Sequence, residues 1–192
     1  MGREVELKYR AEEAVLTRLR EKYGPGREIK METTYFDTAD AKLSNAHMTL
    51  RLRRENEETV CTLKTPLPDG SRGEWECPAA DLKSGLSALL ASGAPNLLRQ
   101  LTADDLIPVC GARFTRVAIE RPTADGIAEL ALDSGILLGG GRQIPLQEVE
   151  LELKSGSEEA LFALAANFAV QWNLTAQPHS KFRRALDLAQ GE

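Results

Sequence analysis

Carboxylates recur at a two-residue spacing in Glu4-Val5-Glu6-Leu7-Lys8 and in Glu148-Val149-Glu150-Leu151-Glu152-Leu153-Lys154, and again in Glu74-Trp75-Glu76. Arg51-Leu52-Arg53 repeats the spacing with guanidinium groups. In a β-strand, residues i, i+2 and i+4 share a face, so each stretch has one charged and one apolar face. Carboxylates brought within about 5 Å repel strongly unless a cation lies between them or protons are taken up. An oxygen-only set without His or Cys suits Mg²⁺ or Mn²⁺. Lys8, Arg51, Arg53 and Lys64 supply the opposite sign, and Arg113 and Arg116 open a later strand. Guanidinium forks match phosphate oxygens in pairs, whereas lysine acts as a mobile point charge. Taken singly, an acidic strand is as well explained by a solvated face, and an arginine by a solvated edge. The segregation of sign strand by strand favours a site for a polyphosphate and its metal ions.

These side chains need a curled, largely antiparallel sheet to converge. Glu28 to Asp37 reads as a strand, and Ala46 to Arg54 with Glu58 to Thr65 as a hairpin turning at Glu55-Asn56-Glu57. Pro68-Asp69-Gly70 is a turn signal ahead of a strand at Arg72 to Glu76. Further strands are expected at Ala112 to Glu120, Ile127 to Asp133 and Gln147 to Lys154. Glu12 to Tyr23 carries Val15, Leu16 and Leu19 at helical spacing and stops at Gly24-Pro25-Gly26. Leucines from Leu82 to Leu101 predict two short helices broken near Gly93-Ala94-Pro95. Ser155 with Glu158 has capping-box spacing before a helix to about Trp172, and a short tail carries Lys181, Arg183 and Arg184. The fold class is α+β, as one domain over residues 1–192.

At 192 residues with 42% hydrophobic and 28% charged content, the chain is of ordinary globular composition. A net charge of −5 argues against nucleic acid as partner. Cys61, Cys77 and Cys110 are odd in number and widely spaced, which excludes a disulfide framework and predicts inert thiols in a reducing, cytoplasmic compartment. No apolar run has the length of a membrane span and no signal peptide is visible, so no membrane partner is expected. His47 and His179 lack a carboxylate at a helpful spacing, Trp75 and Trp172 read as packing residues, and Gly139-Gly140-Gly141 lacks the Lys-Ser/Thr of a phosphate loop.

The ordered set of motifs resembles the CYTH domain, the triphosphate tunnel metalloenzyme superfamily. Glu4-x-Glu6-x-Lys8 is similar to its ExExK signature, Tyr35-Phe36-Asp37-Thr38 to its (Y/H)FDT strand end, Leu50-Arg51-Leu52-Arg53 to its RxR strand and Thr62-Leu63-Lys64 to its TxK strand. Arg72-Gly73-Glu74-Trp75-Glu76, Thr115-Arg116, Leu132-Asp133, Glu148 to Leu153 and Ser180-Lys181-Phe182 follow in the expected order. The resemblance implies a closed eight-stranded antiparallel β-barrel with helices packed outside, and chemistry dependent on Mg²⁺ or Mn²⁺. It places Glu4, Glu6, Glu150 and Glu152, with Glu148, Asp133 and Glu76 nearby, as metal positions. Lys8, Arg51, Arg53, Lys64, Arg116, Lys181 and, less directly, Arg113 become substrate-binding positions, and Lys8, Glu150 and Glu152 the catalytic set. The expected activity is hydrolysis of inorganic triphosphate to pyrophosphate and phosphate by in-line attack of water. Thiamine triphosphatase, class IV adenylate cyclase and a non-catalytic polyphosphate-binding module stay open, as does a homodimer. Residues from Pro78 to Leu101 and the EVELELKSG stretch are similar to the bacterial triphosphatase branch, which often carries a C-terminal CHAD domain; no such region follows Lys181 here.

Overall fold

The computed structural model describes residues 2–68 and 71–191, so Asp69 and Gly70 of the expected Pro68-Asp69-Gly70 turn lie outside the described residues. Among the described residues ten strands form one sheet: β1 (Gly2–Glu4), β2 (Glu6–Arg10), β3 (Arg27–Thr38), β4 (Thr49–Glu55), β5 (Glu58–Pro66), β6 (Arg72–Pro78), β7 (Leu106–Pro122), β8 (Ile127–Gly139), β9 (Arg142–Ser155) and β10 (Thr175–Ala176). Their order is β1-β6-β5-β4-β3-β7-β8-β9-β2-β10, with every pairing antiparallel. The closed eight-stranded barrel is thereby corrected, because the two ends of this series do not pair with each other. The cause lies at the N-terminus, where one strand is interrupted at Val5. Its first half pairs with β6 (Glu4 opposite Arg72) and its second with β9 (Glu6 opposite Glu152, Lys8 opposite Glu150). Two adjacent segments thus hold strands from opposite stretches of the series, and the sheet curls around a common interior.

Two cores cover the outer face. Alternate residues Val117, Ile119, Leu130, Leu132, Val149 and Leu151 of β7 to β9 pack beneath α1 (Glu13–Tyr23) and α4 (Glu158–Trp172), through Leu16, Leu19, Leu161 and Phe168. Leu50, Cys61, Leu63 and Trp75 of β4 to β6 pack beneath α3 (Leu82–Ala91) and a following 3₁₀ turn at Asn96–Gln100, through Leu86, Leu89 and Leu98. The two short helices expected between Ala79 and Leu101 lie on either side of Gly93, at φ +87°, and Pro95, the second of them as the 3₁₀ turn.

The inner face is not uniformly charged. Ile29, Met31, Ala112, Phe114, Leu137 and Leu146 form a third core there, sealed by Ala185 of α5 (Lys181–Gln190). The expectation that all helices pack outside is therefore corrected: α5 covers the inward side of β7 and β8. Gly139 permits this, because a Cβ there would lie 2.3 Å from the Ala185 carbonyl oxygen. The predicted capping box of Ser155 with Glu158 is also replaced. Ser155 ends β9 and accepts from the Ile127 amide, and Ser157 caps α4 by accepting from the Ala160 amide at 3.2 Å. A four-residue helix, α2 (Lys42–Asn45), follows β3. The Asp37 carboxylate holds it by accepting from the amides of Thr38, Leu43 and Ser44 at 2.8, 2.8 and 2.9 Å, so the Asp of the FDT sequence is a structural cap. No helix among the described residues is long and apolar enough to cross a membrane.

Candidate functional site

The inward faces of the strands, with the start of α5, line a polar cavity of ≈ 580 Å³. Glu4, Glu6, Lys8, Arg51, Arg53, Lys64, Glu74, Glu76, Arg116, Glu150, Glu152 and Lys181 all reach it. Two-residue alternation carries them there: Leu50 and Leu63, adjacent in sequence to Arg51 and Lys64, are buried in the outer core instead.

The cavity's charges form three groups. In the first, Lys181 at the first position of α5 places its Nζ 2.9 Å from Asp133, 2.5 Å from Glu148 and 2.6 Å from Glu150. Arg116 grips both Asp133 oxygens at 2.8 Å and also bonds Glu150, while Arg184 bonds Glu148. The Ser180 hydroxyl caps α5 by accepting from the Arg183 amide, which fixes where Lys181 enters. Asp133 and Glu148 are fully buried and do not line the cavity; Glu150 does. Those three carboxylates come within 4.8 Å of one another, a spacing a metal ion could bridge. Here three side-chain cations neutralise them. Burial alone would raise the Glu150 carboxyl, but Lys181 and Arg116 hold it well below the usual carboxylate range. Burial and the neighbouring Glu150 push Glu148 up to about 7 against the pull of Lys181 and Arg184.

In the second group, Lys64 bonds Glu4 and lies 3.5 Å from Glu74. Arg51 stands 3.8 Å from both Glu74 and Glu76, and its Nε is buried without a hydrogen-bond partner. Glu76 accepts from Thr62 at 3.0 Å and is half exposed. Arg53 is the more deeply buried of the two arginines on this strand. It is 6% exposed, donates to the Thr33 hydroxyl at 2.9 Å, and comes no closer than 3.8 Å to a carboxylate, that of Glu55. Burial, with Arg51 and Arg116 nearby, pushes its guanidinium down to about 10. The ring of Phe114 faces it at 5.7 Å.

The third group comprises Glu6 bonded to Lys8 at 2.8 Å and Glu152 bonded to Lys154 at 2.9 Å. Glu129, unremarked in the sequence, sits opposite Glu152 in the β8–β9 register and lines the cavity. Burial raises the Glu152 carboxyl, Lys154 opposes this, and Glu129 and Glu4 add to the rise. Glu129 could have been found, because Glu129-Leu130-Ala131-Leu132-Asp133 continues the same two-residue alternation. Arg113 is the predicted residue that the fold does not bring in. Its side chain is 62% exposed, 3.6 Å from Glu32, because its strand parity is opposite to that of Arg116 and no bulge lies between them.

A profile of the CYTH domain matches residues 2–186. An inorganic triphosphatase of Haemophilus influenzae is 30% identical over 155 residues, which is 79% of this chain but 44% of that protein. The chain thus spans less than half the length of this curated relative. Among solved structures, a Bacillus halodurans protein described as an adenylate cyclase candidate has a TM-score of 0.68 at 24% identity, covering 96% of this chain and 98% of its own. A Hippeastrum protein whose structure is described as revealing a dominant triphosphatase activity has a TM-score of 0.68 at 20% identity, over 98% of this chain and 96% of its own. The PH1819 protein of Pyrococcus horikoshii has a TM-score of 0.65 at 22% identity, over 97% and 99%. At these identities the structures share the fold.

Proposed function

The chain belongs to the CYTH family, and from that premise we propose that it hydrolyses inorganic triphosphate to pyrophosphate and phosphate with the aid of Mg²⁺ or Mn²⁺. The observation that carries this reading is Arg53, a buried guanidinium facing the cavity without a close carboxylate. A buried cation left without a counter-ion costs several kcal/mol, a cost that an anionic ligand removes. Arg51, two residues away on the same face with an unpartnered Nε, would hold the neighbouring phosphoryl group, roughly 7 Å along the strand. Lys64, Arg116 and Lys8 complete a cationic wall whose charges partly exchange carboxylate partners for phosphoryl oxygens.

The acids fit a hard divalent ion. Glu4, Glu6, Glu150 and Glu152 offer only oxygens and all line the cavity. These residues would hold a Mg²⁺ or Mn²⁺ ion, which would supply positive charge to offset that of the phosphoryl oxygens. The remaining work falls to side chains. The arginines align the chain for in-line attack and stabilise charge on its oxygens. Glu152 suits the role of proton acceptor for the attacking water, because its environment raises its affinity for a proton, whereas Glu150 is clamped as an anion by Lys181 and Arg116. Lys8, which burial would lower but Glu6 raises above its ordinary value, remains an ammonium able to neutralise the departing oxygen.

Phosphate release from tripolyphosphate, ATP and thiamine triphosphate, measured side by side with and without Mg²⁺ and Mn²⁺, tests this. Tripolyphosphate should lead ATP by about tenfold or more in kcat/KM, equivalent to about 1.4 kcal/mol at the transition state. Equal turnover of ATP, or cyclic AMP as product, assigns the protein to the nucleotide-using members. Binding without turnover under any metal makes it a polyphosphate-binding module.

A further inference from the structure

Cys61 and Cys77, well separated in sequence, are direct cross-strand partners in the β5–β6 register. Both belong to the outer face, where Cys61 is fully buried and Cys77 packs half-buried against the same core. Gly85 of α3 roofs the pair. A Cβ there would lie 2.7 Å from the Cys61 sulfur, and the Cys77 sulfur lies 3.7 Å from the Gly85 carbonyl oxygen and 3.8 Å from that of Cys61. Further along the same ladder the Ala79 amide donates to the Thr59 carbonyl oxygen at 2.9 Å. Counting by twos from there makes Cys61 and Cys77 a hydrogen-bonded pair, with Cα atoms about 5.5 Å apart. That is an ordinary Cα separation for a disulfide. The Cβ atoms of such partners lie about 4.5–5.5 Å apart, against about 3.8 Å in a disulfide, so closure draws the strands in by roughly 1 Å. Cys110 stands apart on β7, its sulfur 3.9 Å from the Phe182 carbonyl oxygen.

We propose that Cys61 and Cys77 are a redox pair, closed to a disulfide by a peroxide and reopened by a small thiol. Peroxide oxidises the more accessible Cys77 thiol to a sulfenic acid, releasing one water. The Cys61 sulfur then attacks the Cys77 sulfur, the S–O bond breaks, and the hydroxide leaves with the Cys61 proton as a second water. The two thiols give up two electrons, which cleave the O–O bond of the peroxide. Partial burial disfavours the Cys77 thiolate, so closure is slow, on the order of hours. The strain of drawing the strands together keeps the bridge easy to reduce. Closure is also felt in the cavity. Thr62 and Glu76, the next pair along the ladder, are joined at 3.0 Å through the Thr62 hydroxyl, and Glu76 stands 3.8 Å from Arg51. Drawing β5 and β6 together presses this carboxylate towards Arg51, where it competes with a phosphoryl group; this consequence rests on the proposed function.

Peptide mass spectrometry of the native chain, incubated overnight with millimolar hydrogen peroxide, reads the bridge. The peptides of Cys61 and Cys77 should be recovered linked, two of the three free thiols should disappear, and dithiothreitol should restore all three. Cys77→Ser and Cys61→Ala, made separately, should each yield no bridge. Sulfinic acid at Cys77 without a linked peptide, a bridge to Cys110, or linkage only between chains overturns the proposal. Calorimetry on the reduced and bridged forms reads the coupling, and the bridge should weaken tripolyphosphate binding by about fivefold or more. Peroxide-treated Cys77→Ser should bind as the reduced protein does. Equal affinity in the reduced and bridged forms overturns the link to the cavity. A reduced protein that fails to bind tripolyphosphate overturns the proposed function instead, and the linked peptide still decides the bridge.

Discussion

Replacing Lys181 by Met isolates the buried charge cluster from the rest of the cavity. The substitution keeps the length and most of the volume of the side chain but removes the ammonium that contacts Asp133, Glu148 and Glu150 at 2.5 to 2.9 Å. Three carboxylates then remain with only Arg116 and Arg184 against them. Removing one partner from a buried ion pair costs about 3–5 kcal/mol, because it strands the other charge. The cost should depend on pH. Glu148 binds its proton more tightly in the folded protein, at about 7 against an ordinary 4.5, a gap corresponding to about 3 kcal/mol. The native state therefore holds more protons than the unfolded state between those values, and this group's contribution to stability falls as pH rises through them. Loss of Lys181 makes Glu148 hold its proton more tightly still, and each further tenfold in that affinity costs about 1.4 kcal/mol of stability once the pH is high enough to ionise the group.

Asp133 and Glu150 reinforce the same trend. Both are held low by Lys181 and Arg116, so they contribute stability above the ordinary carboxylate range and lose it as pH falls. Without Lys181 that contribution shrinks at neutral and alkaline pH and is unchanged in strong acid. Urea unfolding of both proteins should show a deficit of about 3–5 kcal/mol near pH 8, shrinking by about 1–3 kcal/mol near pH 5. A deficit below about 1 kcal/mol near pH 8, or one equal at the two pH values, refutes the account of Lys181 as counter-ion to a buried acidic trio.

Arg53→Met should weaken tripolyphosphate binding by about a hundredfold or more in calorimetry while leaving the melting temperature equal or slightly raised, because an under-neutralised buried cation is removed. Leu50→Ala, fully buried in the outer core one position from Arg51, should instead cost about 2–5 kcal/mol of stability with the surviving folded fraction still binding tripolyphosphate. Cys61 and Cys110, both pushed up to about 12 by burial, should resist iodoacetamide in the native protein near pH 8 and react only on unfolding, so that mass spectrometry finds the half-buried Cys77 labelled first.

What the sequence discloses and what it hides divide along a physical line. Strand parity was legible, because a period of two is imposed by the pleat whatever surrounds it; Arg51, Arg53, Lys64 and the acids of β9 share the inner face for that reason. Arg113 and Arg116 differ in parity, and with no bulge between them the pleat sends Arg113 to solvent. The docking of helix α5 was not legible. Lys181 to Gln190 form a clearly amphipathic helix, but where it packs depends on Gly139, far earlier in the chain, opening a place for its backbone. The split of the N-terminal strand at Val5 is likewise a matter of which distant strands are within reach, which no local pattern encodes. The same distinction governs the acids. Spacing places Glu148 and Glu150 on one face and the family resemblance adds Asp133, but only α5 decides that an ammonium stands among them. The site's charge state is thus set in part by the segment hardest to place from sequence, since Lys181 together with Arg116 holds Glu150 as an anion.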